Sequence, residues 1–139
     1  MENLDPLIGL WHMSASLPTH GDPPHAETSF EWLEGGQFLI QRWRVDHPAA
    51  PDGIAIIGAG ETDGSYRQHY FDARGVARVY EMTLADGVWK LWRTAPGFSQ
   101  RFTGTFNPAG DTISGTWELS RDGSTWEHDF DLTYARVSR

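Results

Sequence analysis

Residues Ser124–Val137 read STWEHDFDLTYARV. Trp126, His128, Phe130, Leu132 and Tyr134 fall on one parity and Glu127, Asp129, Asp131, Thr133 and Ala135 on the other, the period of a strand with one buried and one wet face. The stretch ends a chain built almost entirely of such segments, so it is expected to close a barrel against the first strand. On its buried parity, His128 is the only basic group before Arg136.

Working back along the chain, each turn implies a register. Asp122-Gly123, read as a two-residue turn, sets Leu119 opposite Trp126, Trp117 opposite His128, Gly115 opposite Phe130 and Ile113 opposite Leu132. The turn at 107–111 sets Phe106 against Ile113, Gly104 against Gly115, Phe102 against Trp117 and Gln100 against Leu119. Asp86-Gly87 sets Leu84 against Trp89, Met82 against Leu91 and Tyr80 against Arg93. A three-residue loop with Gly75 left-handed sets Tyr70 against Arg78, Gln68 against Tyr80 and Tyr66 against Met82. Gly35-Gly36 pairs Glu34 with Gln37, which brings Trp32 to Leu39, Phe30 to Gln41 and Thr28 to Trp43. Arg101 with Glu118, Arg67 with Glu81 and Glu27 with Arg44 then face each other on the opposite side. Complementary charges belong in solvent, so the aromatic side of every hairpin points inward.

The remaining segments fit the same plan. Asp5 and Pro6 suit one short helical turn, and a first strand is expected over Ile8–Leu17. Pro18, Gly21, Pro23 and Pro24 break regular structure after it. His20 and His25 in that loop have poor metal spacing, and no metal site is expected. IAIIGAGE carries Gly58 and Gly60, which in a barrel mark a bend or a ligand close to the backbone. GAGETDG lacks the third glycine of the dinucleotide fingerprint, has no Lys-Ser/Thr and leads into a strand, so it is not a phosphate loop.

The 139 residues suit a single domain over 1–139, and 39% apolar with 13% aromatic content is enough for one core. There is no cysteine, which removes disulfides, thiolate zinc sites and cysteine nucleophiles. A net charge of −8 disfavours nucleic acid and anionic membrane surfaces as partners. The N-terminus lacks a basic segment followed by an apolar run, so a cytoplasmic protein is expected.

About ten strands with short connections make an all-β, antiparallel up-and-down meander, and closure into a barrel removes the bare edges. Gly9, Leu10 and Trp11 give Gly-x-Trp on the first strand, and Tyr134 and Arg136 stand on the last. These pairs resemble the signature of lipocalins and their calycin relatives, and the barrel is similar to that of fatty-acid-binding proteins. The stretches ETSFEWLEGGQFL, YFDARGVARVYEM, FSQRFTGTF and DGSTWEHDFDLTY resemble a bacterial lipocalin-like family of unknown function. The resemblance implies structural roles for Gly9, Trp11, Tyr134 and Arg136, with the arginine packed across the tryptophan at a closed end.

Function is read from the inward positions. Phe30, Trp32, Trp43, Phe102, Trp117 and Phe130 share them with Gln41, Gln68, Arg78, Tyr80, Arg93, Gln100 and His128. A plain core rarely accepts so many polar groups, whereas ligand sites combine apolar walls with a few of them. The leading expectation is a hydrophobic pocket for a small, mostly apolar or aromatic ligand, with no cofactor, lined by Trp32, Gln41, Trp43, Gln68, Tyr80, Arg93, Phe102, Trp117 and His128. Arg78 or Arg93 would meet a carboxylate or phenolate. One alternative is haem, since the barrel resembles nitrobindins, whose C-terminal histidine implies His128 as axial ligand. Another is a barrel enzyme using His, Tyr and Arg acid–base chemistry; no Ser-His-Asp set forms, because Asp129 and Asp131 are expected on the face opposite His128. The outer face with Thr103, Thr105, Ser114 and Thr116 is open to solvent or covered by the second subunit of a homodimer.

Overall fold

The computed structural model describes residues 1–16, 25–47 and 50–139. Ten strands form: β1 (Gly9–Ser16), β2 (Ala26–Trp32), β3 (Leu39–Val45), β4 (Gly53–Ala59), β5 (Ser65–Asp72), β6 (Ala77–Ala85), β7 (Val88–Arg93), β8 (Ser99–Phe106), β9 (Thr112–Ser120) and β10 (Glu127–Ser138). Each is antiparallel to its neighbours in sequence, and β1 also pairs with β10, so the sheet closes into a barrel. A 3₁₀ turn over Glu2–Leu7 precedes it. Leu17, the proline-rich segment, His20 and residues 48–49 lie outside the described residues. Among the described residues, no helix is long and apolar enough to cross a membrane.

The hairpin registers follow from turn chemistry. Trp32 pairs with Leu39, Phe30 with Gln41 and Thr28 with Trp43. The connection itself is longer than two residues: Glu34–Gly36 is a 3₁₀ turn, closed by a hydrogen bond from the Leu33 N–H to Phe38 O. Positive φ at Gly35 and Gly36 (85° and 68°) keeps the two strands in the expected register. Tyr66 meets Met82 and Gln68 meets Tyr80, Leu84 meets Trp89, and Phe102 meets Trp117. Arg67–Glu81 and Arg101–Glu118 are ion pairs on the outer face. At Gly58 a Cβ would stand 3.0 Å from the Phe38 ring, so the glycine lets that ring lie close to the strand.

One end of the barrel is packed solid. Leu4 and Leu7 from the 3₁₀ turn join Trp11, Leu39, Ile57, Met82 and Ile113, all at 0% exposure. The Trp11 indole donates to Leu7 O at 2.8 Å. Arg136, opposite Trp11 in the β1–β10 register, places its guanidinium 4.2 Å from that ring and donates to Ile8 O at 2.6 Å and Pro6 O at 2.7 Å. Gly9 has φ 130°, and a Cβ there would stand 2.9 Å from Arg136 Nη1, so only glycine lets the guanidinium lie across the strand.

The β9–β10 pairing departs from the expected register. Asp122 does not begin a two-residue turn. Its Oδ1 accepts the N–H groups of Ser124 and Thr125 at 2.8 and 2.6 Å, and the Ser120 hydroxyl donates to the same oxygen at 3.1 Å. The connection thus runs through Trp126, and β10 enters with His128 opposite Glu118. A bulge between His128 and Phe130 then adds a second residue of shift, setting Phe130 opposite Trp117, Leu132 opposite Gly115 and Tyr134 opposite Ile113. With a side-chain period of two, the first slip turns His128 outward and the second restores the parity of the rest. Trp126 also lies outside, 4.1 Å beneath the Arg101 guanidinium.

Candidate ligand-binding site

At the end where β10 begins, the inward parity gathers polar groups into three sets. In the first, Gln68 Nε2 donates to Gln41 Oε1 at 3.0 Å, Gln41 Nε2 donates to Thr28 Oγ1 at 3.2 Å, and the Thr28 hydroxyl donates to Arg42 O at 3.1 Å. All three side chains are buried. Gln41→Leu removes the acceptor of the Gln68 amide inside the barrel, and an orphaned buried donor costs about 1–3 kcal/mol. A fall of that size in denaturant-derived stability is expected; an unchanged or higher midpoint would show that the chain carries no structural weight.

The second set lies at the rim. Tyr70, stacked on Trp43 at 5.2 Å between ring centroids, donates its hydroxyl to Asp72 Oδ2 at 2.6 Å. Arg74 Nη2 donates to the same oxygen at 2.7 Å. The Arg74 hydrogen bond, helped by Tyr70, holds the Asp72 carboxyl well below the usual carboxylate range. Burial, then the Asp72 hydrogen bond, push the Tyr70 hydroxyl up to about 12. A carboxyl depressed on folding contributes stability above its unfolded pKa, about 4, and loses that contribution as pH falls below it. Wild-type Tm is therefore expected to drop more steeply than that of Asp72→Asn as pH is lowered below about 4; parallel curves would refute the link. Asp72 was not anticipated, although it stands two and four residues from Tyr70 and Gln68 and so shares their face.

In the third set, the Tyr80 hydroxyl donates to Gln100 Oε1 at 3.0 Å, Arg78 Nη1 donates to the same oxygen at 3.4 Å, and Arg93 Nη1 donates to Phe98 O at 3.2 Å. Burial raises the Tyr80 pKa, although Arg78 and Arg93 both oppose it. Near neutral pH, Tyr70 and Tyr80 are consequently hydrogen-bond donors rather than bases.

Gln41, Trp43, Gln68, Tyr80, Arg93, Phe102 and Trp117 thus share one interior. Trp32 does not join them: it lies toward the packed end, beside a groove of about 260 Å³ that also touches Glu2, Asp5 and Gly36. A second groove, of about 350 Å³, lies at the rim against Val45, Asp52 and Arg74. His128 is also absent from the interior, since its Nε2 is 2.9 Å from Asp131 Oδ1 on the outer face, with over half of the side chain exposed. The expectation that Asp131 could not reach this ring is overturned by the bulge. His128→Ala is expected to change stability by no more than about 0.5 kcal/mol and to leave interior ligand binding intact, measured by melting and by probe titration.

A histidine-ligated haem needs an inward imidazole. His12 is on the outer parity of β1, 5.3 Å from the His25 ring, while His25, His47, His69 and His128 are exposed. Among the described residues, then, the interior does not fit a haem held by histidine, and acid–base chemistry through an inward His128 loses its central group.

No family model matches the chain, and no curated protein matches it. Among solved structures it is similar to the crystal structure of Rv2717c from M. tuberculosis. The two are 16% identical, with 97% of this chain and 95% of that one covered and a TM-score of 0.68. The likeness is one of fold. It agrees with the closed antiparallel barrel.

Proposed function

We propose that the barrel binds a small, largely apolar or aromatic molecule at the end opposite the Trp11–Arg136 plug. The observation that carries this reading is the change in burial along the interior. Near the plug Trp11, Leu39, Ile57, Met82 and Ile113 are at 0% exposure, with Trp32, Leu84 and Phe106 partly buried beside them. Toward the other end most large inward side chains, Trp43, Tyr70, Arg78, Arg93, Gln100, Trp117, Phe130 and Leu132, are only partly buried. Partly accessible aromatic rings with hydrogen-bonding groups set among them are the composition that small-molecule sites share. Trp43 and Trp117 belong to this set and would report binding. Titration with the neutral dye N-phenyl-1-naphthylamine is expected to give saturable emission excited through tryptophan, weakened in Trp117→Arg. Absence of saturable binding, or binding indifferent to Trp117→Arg, would overturn the reading.

A further inference from the structure

Five of the ten arginines of this chain, Arg139 with Asp5 among them, have carboxylates to meet. On the outer face Arg42 pairs with Glu31, Arg67 with Glu81 and Arg101 with Glu118, and at the rim Arg74 pairs with Asp72. Arg78 and Arg93 are different. Both stand on the inward parity of adjacent strands, both are partly buried, and among the described residues neither forms an ion pair. Phe98 holds the two together, its carbonyl accepting from Arg93 at 3.2 Å while its ring lies 5.8 Å from the Arg78 guanidinium. Gln100 lies beside them, paired with Arg93 across the β7–β8 ladder. Its Oε1 is taken by Tyr80 and Arg78, so its amide nitrogen remains as a further donor.

We infer that Arg78 and Arg93, with the Gln100 amide, form a carboxylate-binding cradle, so that the ligand is an amphipathic acid whose aromatic body lies against Trp117 and Tyr80. This rests on the barrel-binding reading above and names the ligand class of that site. Two cations drawn partly out of water without a counter-ion are costly, and a carboxylate matches the planar donor fork of each guanidinium. The nearby acids do not fill this role. Asp72 is engaged by Arg74 and Tyr70, and Glu127, exposed, enters the sheet three strands from Arg93. In a chain of net charge −8, attraction for an anion has to come from such a local arrangement.

The test is displacement of bound N-phenyl-1-naphthylamine by naphthaleneacetate and by its uncharged isostere naphthaleneacetamide. The acid is expected to compete at least about tenfold more strongly than the amide, the worth of charge-assisted hydrogen bonds. In Arg78→Gln/Arg93→Gln the two competitors should become equal, each referred to the variant's own affinity for the dye. On the wild type alone, raising salt should shrink the preference for the acid, a readout that needs no variant to fold. Failure of the dye to bind overturns the barrel reading and this inference with it. If the dye binds but acid and amide compete equally or not at all, or the acid's advantage survives the double substitution or is undiminished by salt, the cradle alone is refuted.

Discussion

Trp11→Ala is expected to destabilise the protein by about 3–5 kcal/mol, a large part of the 5–15 kcal/mol by which domains of this size are stable. The indole is at 0% exposure, donates to Leu7 O, meets Phe106 edge-on at 6.3 Å and carries the Arg136 guanidinium on its face. Truncation therefore opens a cavity and also removes the surface on which Arg136 rests while it holds the carbonyls of Pro6, Ile8 and Gly110. Because the two side chains touch, their losses should not add. Trp11→Ala combined with Arg136→Gln should cost less than the sum of the singles in denaturant titration. A loss below about 1 kcal/mol for Trp11→Ala, or strict additivity with Arg136→Gln, would show that the barrel is not anchored there.

This closed end is the part of the molecule most legible in the sequence. Parity alone puts Phe30, Leu39, Met82 and Ile113 inside, because each lies in a strand bounded by a turn whose glycines or Asp-Gly pair fix the pairing, while Trp11 is placed by the Gly-x-Trp resemblance. What parity cannot count is an extra residue. Asp122-Gly123 has the composition of a tight hairpin turn, yet the Asp122 carboxylate caps the N–H groups of Ser124 and Thr125 and so lengthens the connection. The compensating bulge before Phe130 has no glycine to mark it, and between the two slips His128 changes face. His128 was thus the least securely placed of the residues read as interior, and both functional alternatives had rested on its pointing inward. Arg78, Arg93, Gln41 and Gln68 were placed by hairpins without bulges, and they are inside.

Which polar groups bond one another and which remain available was not legible, since that depends on side-chain reach across strands. Gln41 and Gln68, read as candidate ligand contacts, spend their hydrogen bonds on each other and on Thr28. Arg78 and Arg93 have only neutral acceptors and a ring. The difference shifts the weight of ligand recognition from the glutamines of β3 and β5 to the arginines of β6 and β7.

Phe102 divides the solid half of the barrel from the accessible half, and Phe102→Ala is expected to cost about 3–5 kcal/mol. Its ring, 1% exposed, lies 5.0 Å from Trp89 and 5.2 Å from Trp117 between centroids. It fits because β8 and β9 present Gly104 and Gly115 opposite each other beneath it. A Cβ on Gly115 would stand 2.6 Å from Phe102 Cζ and 3.0 Å from Leu132 O, so Gly115→Ala should cost about 1–3 kcal/mol by overpacking. In the Phe102→Ala background the same alanine should cost less, with only the approach to Leu132 O remaining, giving a coupling of about 1–3 kcal/mol in a double-mutant cycle. Independent effects would mean that the glycine pair does not exist to seat the ring. Removing the ring also deepens the accessible half, so Phe102→Ala should lose stability yet keep or improve its affinity for N-phenyl-1-naphthylamine. If affinity falls along with stability, Phe102 is a wall of the binding site and not the floor beneath it.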